Sequence, residues 1–119
     1  MINRQADGSW AVDRAVDASI AGLWLFGMYP PDDPRIAKTM AVIRERLWVQ
    51  TEVGGLARYE GDQYYRVSPD ATVPGNPWFI CTLWLAQWYG ETARRAEDLK
   101  AALDLLKWTC DHALRSGVL

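Results

Sequence analysis

The chain has 119 residues, half of them apolar and 24% charged, which is the profile of one soluble globular domain rather than a disordered or membrane-spanning segment. A formal net charge of -2 leaves no excess of Lys and Arg to neutralise phosphates, so nucleic acid is excluded as an expected partner. No window approaches about 18 consecutive apolar residues, and the opening MINRQADGSW has polar groups where a signal peptide carries its apolar core, so no membrane span and a cytoplasmic location are expected.

From Asp13 to about Tyr29 the residues Val16, Ile20, Leu23, Trp24 and Gly27 recur at helical spacing, which predicts a first helix. The run Tyr29-Pro-Pro-Asp-Asp-Pro34 ends it. Asp33 is placed to cap the next helix and Pro34 suits its first position. This second helix is predicted to reach about Trp48 on a single apolar stripe of Ile36, Met40, Ile43 and Leu47. Periodicity then stops from Val49 to Asn76, a stretch broken by Gly54, Gly55, Gly61, Pro69, Pro74 and Gly75. Structureless connections of that length are usually functional or disordered, and this one is rich in aromatic and charged residues, so it reads as an active-site loop.

Asn76-Pro77 has the form of a cap followed by a first-turn proline, opening a third helix that runs through Trp78, Ile80, Leu83, Trp84, Gln87 and Trp88 to a stop at Gly90. A fourth is predicted from about Ala93 to Leu114. Its stripe is Leu99, Ala102, Leu103, Leu106, Trp108 and Ala113, with Glu97 and Asp98 at its start and Arg115 near its end. The reading is all-α, about four helices with a long active-site loop. The third helix is apolar nearly all round, a pattern that belongs inside a larger assembly, and self-association through exposed apolar helix faces is expected.

Cys81 and Cys110 fall in helices, form no metal-ligand cluster with His112, and read as buried, reduced thiols; no metal or cofactor is expected. Seven tryptophans and five tyrosines stand out in so short a chain. Such rings fill a core or line a carbohydrate site, where an aromatic face packs on the apolar face of a pyranose. Trp24, Trp48, Trp84 and Trp108 lie in helical stripes and are assigned to the core. Asp17 and Ser19 read as back-bonding to the first helix.

The loop contains GGLARYEGDQYY, Gly54 to Tyr65, followed by GNPWFICTLWLAQWY, Gly75 to Tyr89. Together these resemble the paired motif of the glucoamylase family, glycoside hydrolase family 15. In that motif Arg-Tyr, an acidic stretch and a Tyr-Tyr pair precede Gly-Asn-Pro-Trp at a helix start. VDRAVDASIAGLWLFGMYPPDDPRIAKTMAVIRERLW and ALDLLKWTCDHALRSGVL are similar to the bacterial and archaeal branch, so the resemblance covers nearly the whole chain.

That resemblance implies that residues 1–119 are a fragment of a single catalytic domain, an (α/α)6 toroid of helical hairpins. Such domains remove glucose from the non-reducing ends of α-glucans or act on related α-glucosides, and they invert the anomeric centre. Inversion needs a carboxylic acid and a carboxylate base separated by roughly 6.5–9.5 Å. The resemblance puts the acid well upstream of these residues and the base in a Glu-Gln pair just after Leu119, so neither catalytic carboxylate is expected in this chain. It makes Arg58, Tyr59, Asp62, Tyr64, Tyr65 and Trp78 substrate-binding residues, with α-glucan or α-glucoside as the partner. Gly61 departs from the acidic residue of some eukaryotic members. A plain reading stands beside it: Arg58 bonds Glu60 or Asp62 merely to order the loop. Direct catalysis by Glu60 or Asp62 is not expected, because acids so close in sequence are more often Arg-bound than poised across a glycosidic bond. The alternative from another class is an inert helical carbohydrate-binding or interaction module.

Overall fold

The computed structural model describes residues 2–66, 69, 70 and 72–119. Strands β1 (Ile2–Arg4) and β2 (Trp10–Val12) pair antiparallel, with Asn3 opposite Ala11. A 3-10 turn over Ala18–Ala21 runs into the short helix α1 (Gly22–Leu25), and α2 (Pro34–Leu47), α3 (Phe79–Thr92) and α4 (Lys100–Asp111) follow. The body is four helices, as the hydrophobic periodicity predicts.

Helix α2 follows its sequence signals closely. The Asp33 side chain accepts the N–H of Arg35 at 2.8 Å and Pro34 takes the first helical position. The stripe Ile36, Met40, Ile43 and Leu47 is at most 2% exposed and meets Ala18, Ala21 and Trp24 on one side and Leu56, Leu85 and Leu105 within the same core. A smaller cluster of Val49, Ala57 and Val73 lies under the long connection.

Elsewhere the boundaries move for local reasons. The first helix is confined to Ala18–Leu25, because Asp17 accepts the Ser19 N–H at 2.8 Å and starts the helix there rather than at Asp13; this capping bond replaces the expected back-bonding. The β-hairpin before it carries no apolar alternation long enough to announce itself. Asn76-Pro77 does not cap α3. Trp78 is its N-cap residue, and Pro77 instead lies in an antiparallel bridge with Ala57. Gly90 does not stop α3, which continues to Thr92; the Thr92 hydroxyl bonds back to the Trp88 carbonyl at 2.8 Å in the last turn.

Helix α4 turns its Ala102–Leu105–Thr109 face inward. Leu103 and Leu106, taken from the periodicity as part of the core stripe, are 60% and 46% exposed. They line a groove of about 480 Å³ with Leu83, Gly90 and Leu99 between α3 and α4. Periodicity misassigns this register because apolar residues stand on both sides of the helix, and it cannot tell which side the rest of the chain will cover. Of the two thiols only Cys81 is buried, where desolvation pushes it up to about 11; Cys110 is exposed. Trp24 is buried, while Trp48 and Trp84 are half-buried against the core. Trp108 is also half-buried, with its indole N–H donating to the Val53 carbonyl at 2.6 Å.

The radius of gyration is 15.8 Å, above the roughly 13.5 Å of a compact domain of this length, and the extents are 52 × 35 × 24 Å. The helices form a slab with apolar residues left on its faces, among them Ile80 and Leu103. Urea denaturation tests the α4 register: Leu105→Ala is expected to cost about 2–5 kcal/mol, as for a truncated core leucine, and Leu103→Ala to change stability by about 0.5 kcal/mol or less. The reverse order would contradict the packing.

Candidate functional site

The long connection is tied down through its middle. Val49 N–H donates to Gly55 C=O (2.9 Å), Ala57 N–H to Leu47 C=O (2.9 Å), Ala18 N–H to Arg58 C=O (2.7 Å) and Glu60 N–H to Val16 C=O (3.0 Å). Residues 55–60 thus run as a strand-like segment clamped between the end of α2 and the start of the first 3-10 turn. Backbone so fully paired is a rigid mount for whatever side chains it carries.

The side chain it presents is Arg58. Its Nε donates to Asp62 Oδ2 at 2.7 Å and its Nη2 to Asp62 Oδ1 at 2.8 Å, the two-pronged geometry that the guanidinium fork favours. Asp62 is 0% exposed. The hydrogen bond from Arg58 holds its carboxyl below the usual carboxylate range. Burial pushes the other way, and the Tyr64 N–H (2.9 Å), the Arg58 charge and the Tyr59 side chain add to the lowering. Asp62 in turn raises Arg58 and keeps the guanidinium charged. The plain expectation for this arginine is therefore met by Asp62, not Glu60. Glu60 pairs with Arg46 and accepts the Val16 N–H at 2.8 Å through its other oxygen. Nothing in the spacing of Arg46 and Glu60 announces that pair, which forms only because the segment folds back over α2.

Three rings surround the guanidinium. Its Cζ stands 4.3 Å from the Trp78 ring centroid, 5.0 Å from Tyr64 and 5.4 Å from Tyr59, all within cation–π range. Tyr64 lies 5.8 Å from Trp78 and meets Tyr65 edge-on at 4.8 Å. The indole N–H of Trp78 is buried with no partner among the described residues, so this ring acts through its face. All six residues singled out in the sequence converge here. Tyr59, Tyr64 and Tyr65 are 37%, 53% and 79% exposed, which opens one side of the cage to solvent. Tyr59 also lines a neighbouring hollow of about 470 Å³ with Asp13, Asp17, Ser19 and Ile20.

The Gly-Asn-Pro-Trp run has a separate task for each residue. A Cβ on Gly75 would stand 2.7 Å from the Asp62 Cβ, so only glycine lets this backbone pass the buried residue, and the Asp62 backbone N–H donates to Pro74 C=O at 3.0 Å. The Asn76 amide donates to the carbonyls of Tyr64 and Tyr65, holding the tyrosine pair; Tyr65 is the one described non-glycine residue in the left-handed region, at φ 46°. Sequence reasoning gave Asn76 to helix capping and missed this latch. Gly61 has φ 77°, a left-handed conformation that glycine adopts without strain.

Chemically, the arrangement offers donors on a fixed plane. A guanidinium has five N–H donors; two face Asp62, and no other partner is present for the remaining three among the described residues. With the Arg58 side chain one-third exposed, donors of this kind suit paired hydroxyl oxygens beside aromatic faces.

The model of glycosyl hydrolases family 15 matches residues 2–114. The chain belongs to that family. It is 38% identical over 79 residues to an uncharacterized glycosyl hydrolase of Methanocaldococcus jannaschii, covering 66% of this chain and 11% of that protein. It is 32% identical over 110 residues to an isomaltose glucohydrolase of Kribbella flavida, covering 92% of this chain and 24% of that protein. The chain thus spans about a quarter or less of the length of these relatives. No solved structure matches it significantly.

The lowered Asp62 carboxyl carries a pH signature. An unfolded aspartate titrates near about pH 3.9, so stabilisation from a depressed native value is complete above about pH 4 and is lost as pH falls through that native value. The melting-temperature difference between wild type and Asp62→Asn is therefore expected to be largest near neutrality and to shrink below about pH 4. A difference that stays constant or grows on acidification would contradict the ionised pair.

Proposed function

We propose that this chain is the sugar-binding part of a family 15 glycoside hydrolase domain, in which the open edge of Arg58 hydrogen-bonds hydroxyls of a terminal glucose unit. The observation that carries the reading is the Arg58 side chain: its guanidinium is locked on one edge by a buried carboxylate and flanked by Trp78, Tyr64 and Tyr59, while the side chain as a whole is one-third exposed. Aromatic faces beside a planar donor array match the alternating apolar and hydroxyl surfaces of a pyranose. The ligand class is α-glucans and related α-glucosides. The isomaltose glucohydrolase relative makes isomaltose the first disaccharide to try.

Hydrolysis with inversion is the proposed chemistry of the whole domain. On this reading the chain supplies binding rather than proton transfer, because the two acids of the Arg58 motif, Glu60 and Asp62, are committed. Both oxygens of Asp62 accept from Arg58, and those of Glu60 accept from Arg46 and the Val16 N–H. A carboxylate so engaged is a poor general base and, when held ionised, no general acid. On the same reading the apolar groove between α3 and α4 is where further hairpins of the domain lie, or a second copy of this chain.

Calorimetric titration with glucose, maltose and isomaltose tests the proposal. Binding to the wild type is expected with no release of glucose from either disaccharide. Arg58→Lys keeps a cation for Asp62 but loses the fork, and affinity is expected to fall about tenfold or more, the effect of roughly one charge-assisted hydrogen bond. Tyr64→Ala is expected to weaken binding as well. No binding by folded wild-type protein, or undiminished binding by both variants, would overturn the assignment, and glucose release would overturn the division between binding and catalysis.

A further inference from the structure

The cage joins two stretches far apart in sequence: the strand-like segment that carries Arg58 and the helix start that carries Trp78. One buried hydroxyl spans them. Thr82, in the first turns of α3, is 0% exposed. Its Oγ1 accepts the Leu56 N–H at 2.9 Å and donates to the Trp78 carbonyl at 2.9 Å. The Trp78 N–H in turn donates to the Leu56 carbonyl at 2.8 Å. These contacts close a ring: Leu56 N–H to the Thr82 hydroxyl, hydroxyl to Trp78 C=O, Trp78 N–H back to Leu56 C=O.

Helix formation does not ask for this residue. Threonine is β-branched, and a hydroxyl bonding back to the fourth preceding carbonyl slightly disfavours a helix. What the hydroxyl does is answer a donor that has no other acceptor among the described residues. Leu56 is 0% exposed, and without Thr82 Oγ1 its N–H would be buried and unpaired, so the segment would shift to find another acceptor. Arg58 lies two residues along that same segment, and its guanidinium sits 4.3 Å over the ring of the residue at the other end of the link.

We infer that Thr82 is a positioning residue for the cage: its hydroxyl sets the register between the Arg58 segment and the Trp78 helix start, and hence the stack of the indole on the guanidinium. The geometric part stands on the contacts alone, while the effect on sugar affinity rests on the reading of the cage as a sugar site.

The test compares Thr82→Val, which keeps the shape and removes the hydroxyl, with Thr82→Ser, which restores it, and with Ile43→Val, a core change in α2 remote from the ring. In ligand-free protein, NMR signals of the Arg58 Nε–H and the Trp78 indole N–H are expected to move in Thr82→Val, to return to near wild-type positions in Thr82→Ser, and to stay in place in Ile43→Val. Isomaltose affinity is expected to fall about tenfold in Thr82→Val and to recover in Thr82→Ser. Unmoved signals in Thr82→Val, or equal movement in Ile43→Val, would overturn the inference. So would moved signals with unchanged affinity in a wild type that binds. If the wild type binds no sugar, the proposed function fails and the NMR comparison still decides the role of Thr82. Should Thr82→Val not fold, hydrogen exchange of the wild-type Leu56 amide decides: protection matching the α2 core amides supports the link, and rapid exchange refutes it.

Discussion

A carboxylate with no exposed surface has to be neutralised where it lies, and in this chain Arg58 does that for Asp62. The desolvation cost of such a group is met only when both its oxygens are bonded in good geometry. Two guanidinium prongs and the Tyr64 N–H provide that here. The consequence runs outward. With one edge of the guanidinium committed, its plane is set and the rings of Trp78 and Tyr64 pack against it. The contact that orders this segment therefore also fixes the orientation of the remaining donors.

The neighbouring sequence makes sense as the surroundings this pair requires. Gly75 leaves room for Asp62, Asn76 holds the tyrosine carbonyls, and Pro77 bridges to Ala57 and delivers Trp78 to the start of α3. Each supports the orientation of a cage group without belonging to the cage itself, and such supporting contacts hold the geometry of a constellation as much as its own members do. The apolar groove between α3 and α4 takes no part in these contacts.

Legibility in the sequence follows how local the determining interaction is. Helix α2 reads correctly because a cap, a proline and a single stripe lie in adjacent residues and agree. The cage residues come together as a group because five of the six lie between Arg58 and Tyr65, and the plain expectation for Arg58 already named Asp62 among its partners. What stays hidden depends on contacts across the fold. Arg46 meets Glu60 only once the segment returns over α2, and Asn76 looks like a cap until the tyrosine carbonyls come within its reach. Leu105 faces inward, and Leu103 outward, only because of where α3 sits. Cys110, apolar by habit, is exposed on the outer side of the same helix.

The central claim is that Arg58 and Asp62 act as a unit. A double-mutant cycle in unfolding free energy, with Arg58→Met, Asp62→Asn and the pair combined, addresses it directly, since independent sites add and coupled ones do not. The account requires that the combined variant lose clearly less stability than the single variants summed, because removing both partners leaves no stranded charge. Additive losses at neutral pH would show that the two residues do not depend on each other, and the explanation of the cage would fall with them.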